Sequence, residues 1–182
     1  MMKELSLNIL DVAKNSVVAG AENVIISLFT DADGILTLTI KDDGCGMTEE
    51  TVKNVTDPFY TTRTTRKVGM GLPLLKLAAE QTGGYLKLES SKAEHDHGTT
   101  VIAVFDTKSI DFMPIGDIIS TICILIAGSP EIDFEFSDIT DKREVRLHTT
   151  ELKAVLGEDI SLAEPEVQTW MSEYLSEQYN EQ

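Results

Sequence analysis

The sequence holds only two cysteines, Cys45 and Cys123, and they match neither a disulfide framework nor a metal-ligand spacing. It opens without a charged-then-apolar leader, so a cytoplasmic protein is expected. Its most apolar run, Ile115 to Ala127, is broken by Asp117 and is too short to cross a bilayer, so no membrane partner is expected. Positive charge is scarce, with 15 Lys+Arg against 31 Asp+Glu and a formal net charge of −16. No basic stripe is available to replace counterions along a phosphate backbone, which argues against nucleic acid as a partner. The pattern GxxxxGK[ST] occurs nowhere, which excludes a P-loop.

What is present fits a globular chain: 182 residues, 42% hydrophobic and 25% charged. The acidity is uneven. Residues 110–182 hold 16 acidic and 4 basic side chains, against 15 and 11 in residues 1–109. Two units are therefore expected, 1–108 and a small acidic α+β unit at 109–182 that serves as a partner-binding or packing module.

The most informative stretch is 42–72, which reads DDGCGM at one end and DPFYTTRTTRKVGMGLPLL at the other. Ahead of it, residues 3–19 carry Leu5, Ile9, Val12 and Ala13 at helical spacing, with Leu10 and Val17 widening the stripe. Asp11 and Asn15, four apart, share a face; taken alone such a pair is usually solvated surface. Alternating apolar residues then predict two strands around the DADG turn, the second delivering Asp42, Gly44 and Gly46 as DxGxG. That pattern is either a polar strand-end turn or a carboxylate placed to accept from an exocyclic amine. Thr48 with Glu49 and Glu50 marks a short helix.

Residues 57–71 form a long loop with Phe59 as its large apolar group and Arg63, Arg66 and Lys67 as cations. Gly69-Met70-Gly71 leads into a helix from Leu72 to Thr82, with Pro73 in the first turn and Gly83-Gly84 as the stop. Glycines at a strand end admit a flat ligand, and those at a helix start leave N–H groups facing an anion. A nucleoside triphosphate satisfies both. Two further strands, Tyr85 to Ser90 and Thr99 to Phe105, flank a loop in which His95 and His97 lack a third metal ligand nearby. Beyond residue 110 an apolar helix or buried segment is expected at 115–126. A hairpin follows around DITDK, then a terminal helix from about Pro165 with Val167, Trp170, Met171, Tyr174 and Leu175 in one stripe, read as core packing against the hairpin, with a partner-binding face as the lesser alternative.

In order, D-x-x-x-N, DxGxG, DPFYTTR, GMGLPLLK and GTTVIAVF resemble the GHKL ATPase superfamily of histidine-kinase catalytic domains, anti-sigma-factor kinases, gyrase B, MutL and Hsp90. The resemblance covers about residues 3–106, and DPFYTTR and GMGL look most like sensor histidine kinases. It implies an α/β sandwich: a mixed, mainly antiparallel sheet with helices on one face and ATP under a lid. It also implies ATP and Mg²⁺ as cofactors. Asn15 would hold Mg²⁺. Asp42 would accept the adenine amino group, and Gly44 and Gly46 would let backbone approach the base. Phe59 would seat the lid, and Gly69 and Gly71 would present N–H groups to phosphates. Thr99 would support the Asp42–adenine network through its hydroxyl, while Arg63, Arg66 and Lys67 balance phosphate charge. Met47, Thr62, Met70 and Leu72 complete the nucleotide-binding set.

Some positions depart from the family pattern. Lys67 stands where the kinase pattern has a glycine. Asp11 stands where many members carry Glu; in the hydrolysing and serine-kinase branches that carboxylate is the general base. Only two residues precede the first helix, so a phospho-acceptor histidine with its dimerisation helices is not expected. The resemblance thus implies a stand-alone regulatory kinase or ATPase acting on a protein partner, with a homodimer possible. The alternative is a non-catalytic ATP-dependent switch that docks a partner through residues 109–182.

Overall fold

A computed structural model of the chain describes residues 4–56, 70–157 and 159–181. The first apolar stripe folds as helix α1 (Leu5–Val18), burying Leu5, Ile9, Val12 and Ala13. Two of its leading amides find partners far along the chain: Leu5 N–H donates to the Pro114 carbonyl at 2.9 Å and Ser6 N–H to that of Ile115 at 2.8 Å. Strands β1 (Asn23–Thr30) and β2 (Ile35–Asp42) follow, then helices α2 (Glu49–Asn54) and α3 (Gly71–Gln81). Strands β3 (Tyr85–Ala93) and β4 (Asp96–Asp106) pair as the expected hairpin. Then come α4 (Ile118–Gly128), β5 (Asp133–Ile139), β6 (Glu144–His148), α5 (Thr149–Leu156) and α6 (Pro165–Asn180).

The described strands form one six-stranded sheet in the order β3-β4-β2-β1-β5-β6. Only β1 and β5 pair in parallel; the other neighbours are antiparallel. One transverse row runs Leu88, Val101, Ile40, Ile26, Phe136 and Leu147, and all but Leu88 are fully buried. On the opposite face the row Tyr85, Val104, Thr37, Phe29, Ile139 and Glu144 is exposed or half-buried. The strands thus alternate apolar-in and polar-out, as a sheet covered on one face requires. Helices α1, α3, α4 and α6 pack together over the apolar face. Each fully buried Leu, Ile or Phe there contributes about 1.5–3 kcal/mol.

The boundary expected between residues 108 and 109 falls in the connection after β4. Residues beyond it supply β5 and β6 to the same sheet, and Phe134, Phe136, Val145 and Leu147 join one continuous core with Ile26 and Leu28. The physical reason is the edge of β1: without β5 its N–H and C=O groups would lie unpaired.

Two further features differ from expectation. Helix α5, which follows β6 directly, was not expected; only Thr149 is fully buried in it, and Leu152 and Leu156 pack on the core while half-buried. In α6, Val167, Met171 and Leu175 face the core, but Trp170 and Tyr174 lie outside it, 46% and 38% exposed. Each sits one residue, or about 100° of helix, before a buried neighbour, on the flank of the stripe.

At the outer edge of β6 one side chain pairs with the backbone of Arg146. Gln178 of α6 accepts from the Arg146 N–H at 2.8 Å and donates to the Arg146 carbonyl at 3.0 Å, as a neighbouring strand would. Gln178→Ala should lower stability by about 1 kcal/mol and increase hydrogen exchange at Arg146 and its neighbours; urea denaturation and exchange mass spectrometry measure both.

Candidate functional site

The site assembles where β2 ends under α1. Asp42 is 8% exposed and its carboxylate is held by three donors. The Ser16 hydroxyl donates to Oδ2 at 2.6 Å, the Gly44 N–H to Oδ1 at 2.9 Å, and the Thr99 N–H to Oδ1 at 3.2 Å. Among the described residues no cation forms a salt bridge with it. A buried carboxylate without a counter-charge is stable only through such hydrogen bonds, each worth roughly 1.5–3 kcal/mol. Next to it, Asp43 ties the start of β1, accepting from the Glu22 and Asn23 N–H groups and the Asn23 side-chain amide. Burial pushes the Asp43 carboxyl up, but these bonds outweigh it and hold the group below the usual carboxylate value.

Around Asp42 the main chain is packed without room for side chains. A Cβ on Gly44 would lie 2.8 Å from the Ala19 Cβ and 3.0 Å from the Ala19 carbonyl oxygen. Gly46 has φ +65, and a Cβ there would fall 1.8 Å from the Ser91 carbonyl oxygen. Both glycines therefore have an internal packing reason, beside any role toward a ligand. The Thr99 hydroxyl meets Ser90 Oγ at 2.8 Å; it is the Thr99 amide that reaches Asp42, where a hydroxyl contact was expected. The Met47 N–H donates to the same Ser90 Oγ at 2.8 Å. His97, considered with His95 as a metal pair, places Nδ1 2.9 Å from the Gly44 carbonyl oxygen. No group of three His, Cys, Asp or Glu side chains gathers among the described residues.

One turn away, Asp11 is half-buried and Asn15 exposed on α1. The start of α3 packs against Asp11: a Cβ on Gly71 would lie 3.3 Å from the Asp11 Cβ. Gly71 and Leu72 are buried and Met70 is exposed. The Leu74 N–H closes on the Met70 carbonyl, and Pro73 has no N–H. The Gly71 and Leu72 amides thus lie ahead of the helix's own bonds, at its partially positive end. Phe59, Thr62, Arg63, Arg66, Lys67 and Gly69 fall outside the described residues. Among the described residues no helix is long and apolar enough to cross a membrane.

A family model for Histidine kinase-, DNA gyrase B-, and HSP90-like ATPase matches residues 1–109. The chain belongs to this ATPase family. Among curated relatives, Sporulation kinase E of Bacillus subtilis is 32% identical over 93 residues, covering 51% of this chain and 12% of the relative. Sporulation kinase C of the same organism is 29% identical over 109 residues, covering 59% of this chain and 24% of that protein. The chain thus spans at most about a quarter of the length of either kinase. Among solved structures, the Aquifex aeolicus MutL ATPase domain complexed with ADP superposes with a TM-score of 0.55 and 17% identity, covering 86% of this chain and 68% of that one. The N-terminal domain of a DNA repair protein gives 0.58 and 15%, covering 86% and 58%. At these identities the two structures support the fold alone. Sheet and helices match the mixed, mainly antiparallel architecture expected of this ATPase family.

The side chains present fit an adenine nucleotide. A carboxylate offers about four lone-pair positions, and among the described residues three donors occupy three of them at Asp42, leaving capacity for one more N–H there. Asn15 supplies an amide oxygen, a hard donor of the kind Mg²⁺ accepts beside phosphate and water ligands.

Sequence reading missed Ser16 and Ser90. The signal for Ser16 was available: it lies four residues after Val12, on the apolar face of α1, where a serine is out of place unless its hydroxyl has a partner. Ser90 gave no such signal, because its role depends on the β3–β4 register.

Two glycines with similar backbone angles separate strain from collision. Gly20, at φ +71, has nothing within 4 Å of an added Cβ. Gly20→Ala should cost about 1–2 kcal/mol from the left-handed backbone alone. Gly46→Ala should cost clearly more, about 3 kcal/mol, when the two are compared by urea denaturation at unchanged m-value.

Proposed function

We propose that this chain binds Mg·ATP between α1, the end of β2 and the start of α3, and acts on a protein partner as a regulatory kinase or ATPase. The observation that carries this reading is the Asp42 carboxylate: buried, and held by three donors among the described residues, which leave one acceptor position over. The MutL ATPase domain of the same fold carries ADP, which supports an adenine nucleotide here. In this reading the exocyclic amine of adenine completes Asp42, and Ser16, Gly44 and Thr99 fix its oxygens in advance. Asn15 holds the magnesium ion through its side-chain oxygen. The amides at the start of α3 face phosphate oxygens, with Gly69, Arg63, Arg66 and Lys67 as further expected contacts.

Bound Mg·ATP supplies a transferable γ-phosphoryl group, and in such reactions catalysis is mostly positioning and charge neutralisation. Asp11 lies against the first turn of α3 on the same face of α1 as Asn15. There it would accept a proton from a water or from a hydroxyl of the partner. Aspartate is one methylene shorter than glutamate, so the acceptor must come closer to α1. The partner is a protein: the chain's charge is unsuited to nucleic acid.

A second reading follows from α1 itself. The helix that carries Asp11 and Asn15 also packs on α4, and residues 114–115 are hydrogen-bonded to its first turn. A nucleotide that shifts α1 would be felt in the C-terminal elements without any phosphoryl transfer.

Calorimetry with Mg and a non-hydrolysable ATP analogue tests the site, and release or transfer of labelled γ-phosphate tests the chemistry. Asp42→Ala should weaken binding by about tenfold to a hundredfold. Asp11→Asn should leave binding within about threefold and reduce turnover by about a hundredfold or more. Binding that is lost with Asp42→Ala but shows no turnover in the native protein would select the switch; unchanged binding in Asp42→Ala would remove the nucleotide reading.

A further inference from the structure

The outer face of α6 is unusual in what it exposes. Glu166, Trp170, Glu173, Tyr174 and Glu177 are all exposed, and they recur at helical spacing along one side of the helix. The two rings stack at 5.0 Å between centroids with 10° between their planes. From Ala154 to Gln182 the sequence has no lysine, arginine or histidine. The inner face is already accounted for by Val167, Met171 and Leu175 in the core and by Gln178 on the β6 edge.

An aromatic pair outside a core, bordered by carboxylates with no cation on its own helix, is complementary to one chemistry. Aromatic faces attract guanidinium and ammonium groups, and the flanking glutamates offer them ion pairs. Aromatic residues are also those that dominate binding at protein interfaces. We propose that the outer face of α6 docks a basic segment of a partner protein, with Arg or Lys side chains laid on Trp170 and Tyr174 and paired with Glu173 and Glu177. An acidic or neutral partner is disfavoured, because it would bring no counter-charge to this face. A second copy of the chain would set two such acidic faces against each other. This surface is read from exposure and charge on α6 and stands without the nucleotide reading.

Trp170 is the only tryptophan of the chain, so its emission reports on this face directly. The 182-residue chain without nucleotide is titrated with a synthetic peptide of repeating Lys-Ala-Arg-Ala, and separately with its Glu-Ala-Glu-Ala counterpart. The basic peptide should produce a saturable change in Trp170 emission, weakening roughly tenfold between about 50 and 300 mM salt, and the acidic one none. Glu173→Gln/Glu177→Gln should weaken binding roughly fivefold. Tyr174→Ala, which leaves the net charge alone, should weaken it about threefold. Glu94→Gln/Asp96→Asn neutralises two exposed acids in the β3–β4 hairpin, at the opposite edge of the sheet, and should have no effect. An emission unchanged by the basic peptide would overturn the proposal. So would equal weakening by the hairpin variant, which would mean bulk charge attraction only. Because no nucleotide is present, either failure leaves the ATP site untouched.

Discussion

The structure turns on a carboxylate taken out of water with no cation among the described residues to balance it. Asp42 joins three parts of the chain at one point: α1 through the Ser16 hydroxyl, the β2 end through the Gly44 amide, and β4 through the Thr99 amide. Burying such a group is costly unless its lone pairs are met. The surrounding backbone is drawn in tightly around it. An added Cβ at Gly98 would fall 2.1 Å from the Asp42 carbonyl oxygen, and one at Gly44 3.1 Å from Asp42 Oδ1. A stability argument alone would favour an apolar residue there. A carboxylate there, with acceptor capacity unspent by the described residues, is what makes the end of β2 read as a candidate binding site.

The same helix that supplies Ser16 ties this site to the rest of the molecule. One face of α1 covers the sheet, its first turn receives the carbonyls of Pro114 and Ile115, and its flank meets both α3 and α4. Beyond α4 the chain returns to lay β5 parallel to β1 and closes the sheet with β6. There Asp138, 2% exposed, is met by Arg143 at 3.1 Å and by the Tyr179 hydroxyl at 2.7 Å. Burial and the Asp138 carboxylate drive the Tyr179 hydroxyl far above its ordinary range, so it stays a donor to that carboxylate. The acidic segment beyond residue 110 is thus anchored by paired groups inside.

Local chemistry was readable from the sequence where a pattern is carried by neighbours in the chain. The stripe of α1, the alternation of β1 and β2, Pro73 in the first turn of α3 and Pro165 opening α6 each follow from residues a few positions apart. Asp42 at the end of β2 was legible too, since DxGxG follows an alternating strand. What the residues did not carry was long-range pairing. Nothing in EIDFEF says that it lies parallel to NVIISLFT. Ser90 matters only because the β3–β4 register sets it beside Thr99. Gly44 and Gly46 looked like an opening for a ligand, whereas their contacts with Ala19 and Ser91 are with the protein's own backbone and side chains. Trp170 and Tyr174 misled for a related reason: a 3.6-residue repeat assigns a stripe but not its edge.

The account rests on an amine donating to Asp42, and nucleotide choice tests that contact directly. Inosine triphosphate differs from ATP by carrying an acceptor oxygen where adenine carries its amino group. Affinities of the native protein for the two, measured by calorimetry with Mg present, should differ by about tenfold or more in favour of ATP. The preference should disappear in Asp42→Asn, whose side-chain amide can donate to that oxygen. Equal affinity of the native protein for both nucleotides would contradict the account.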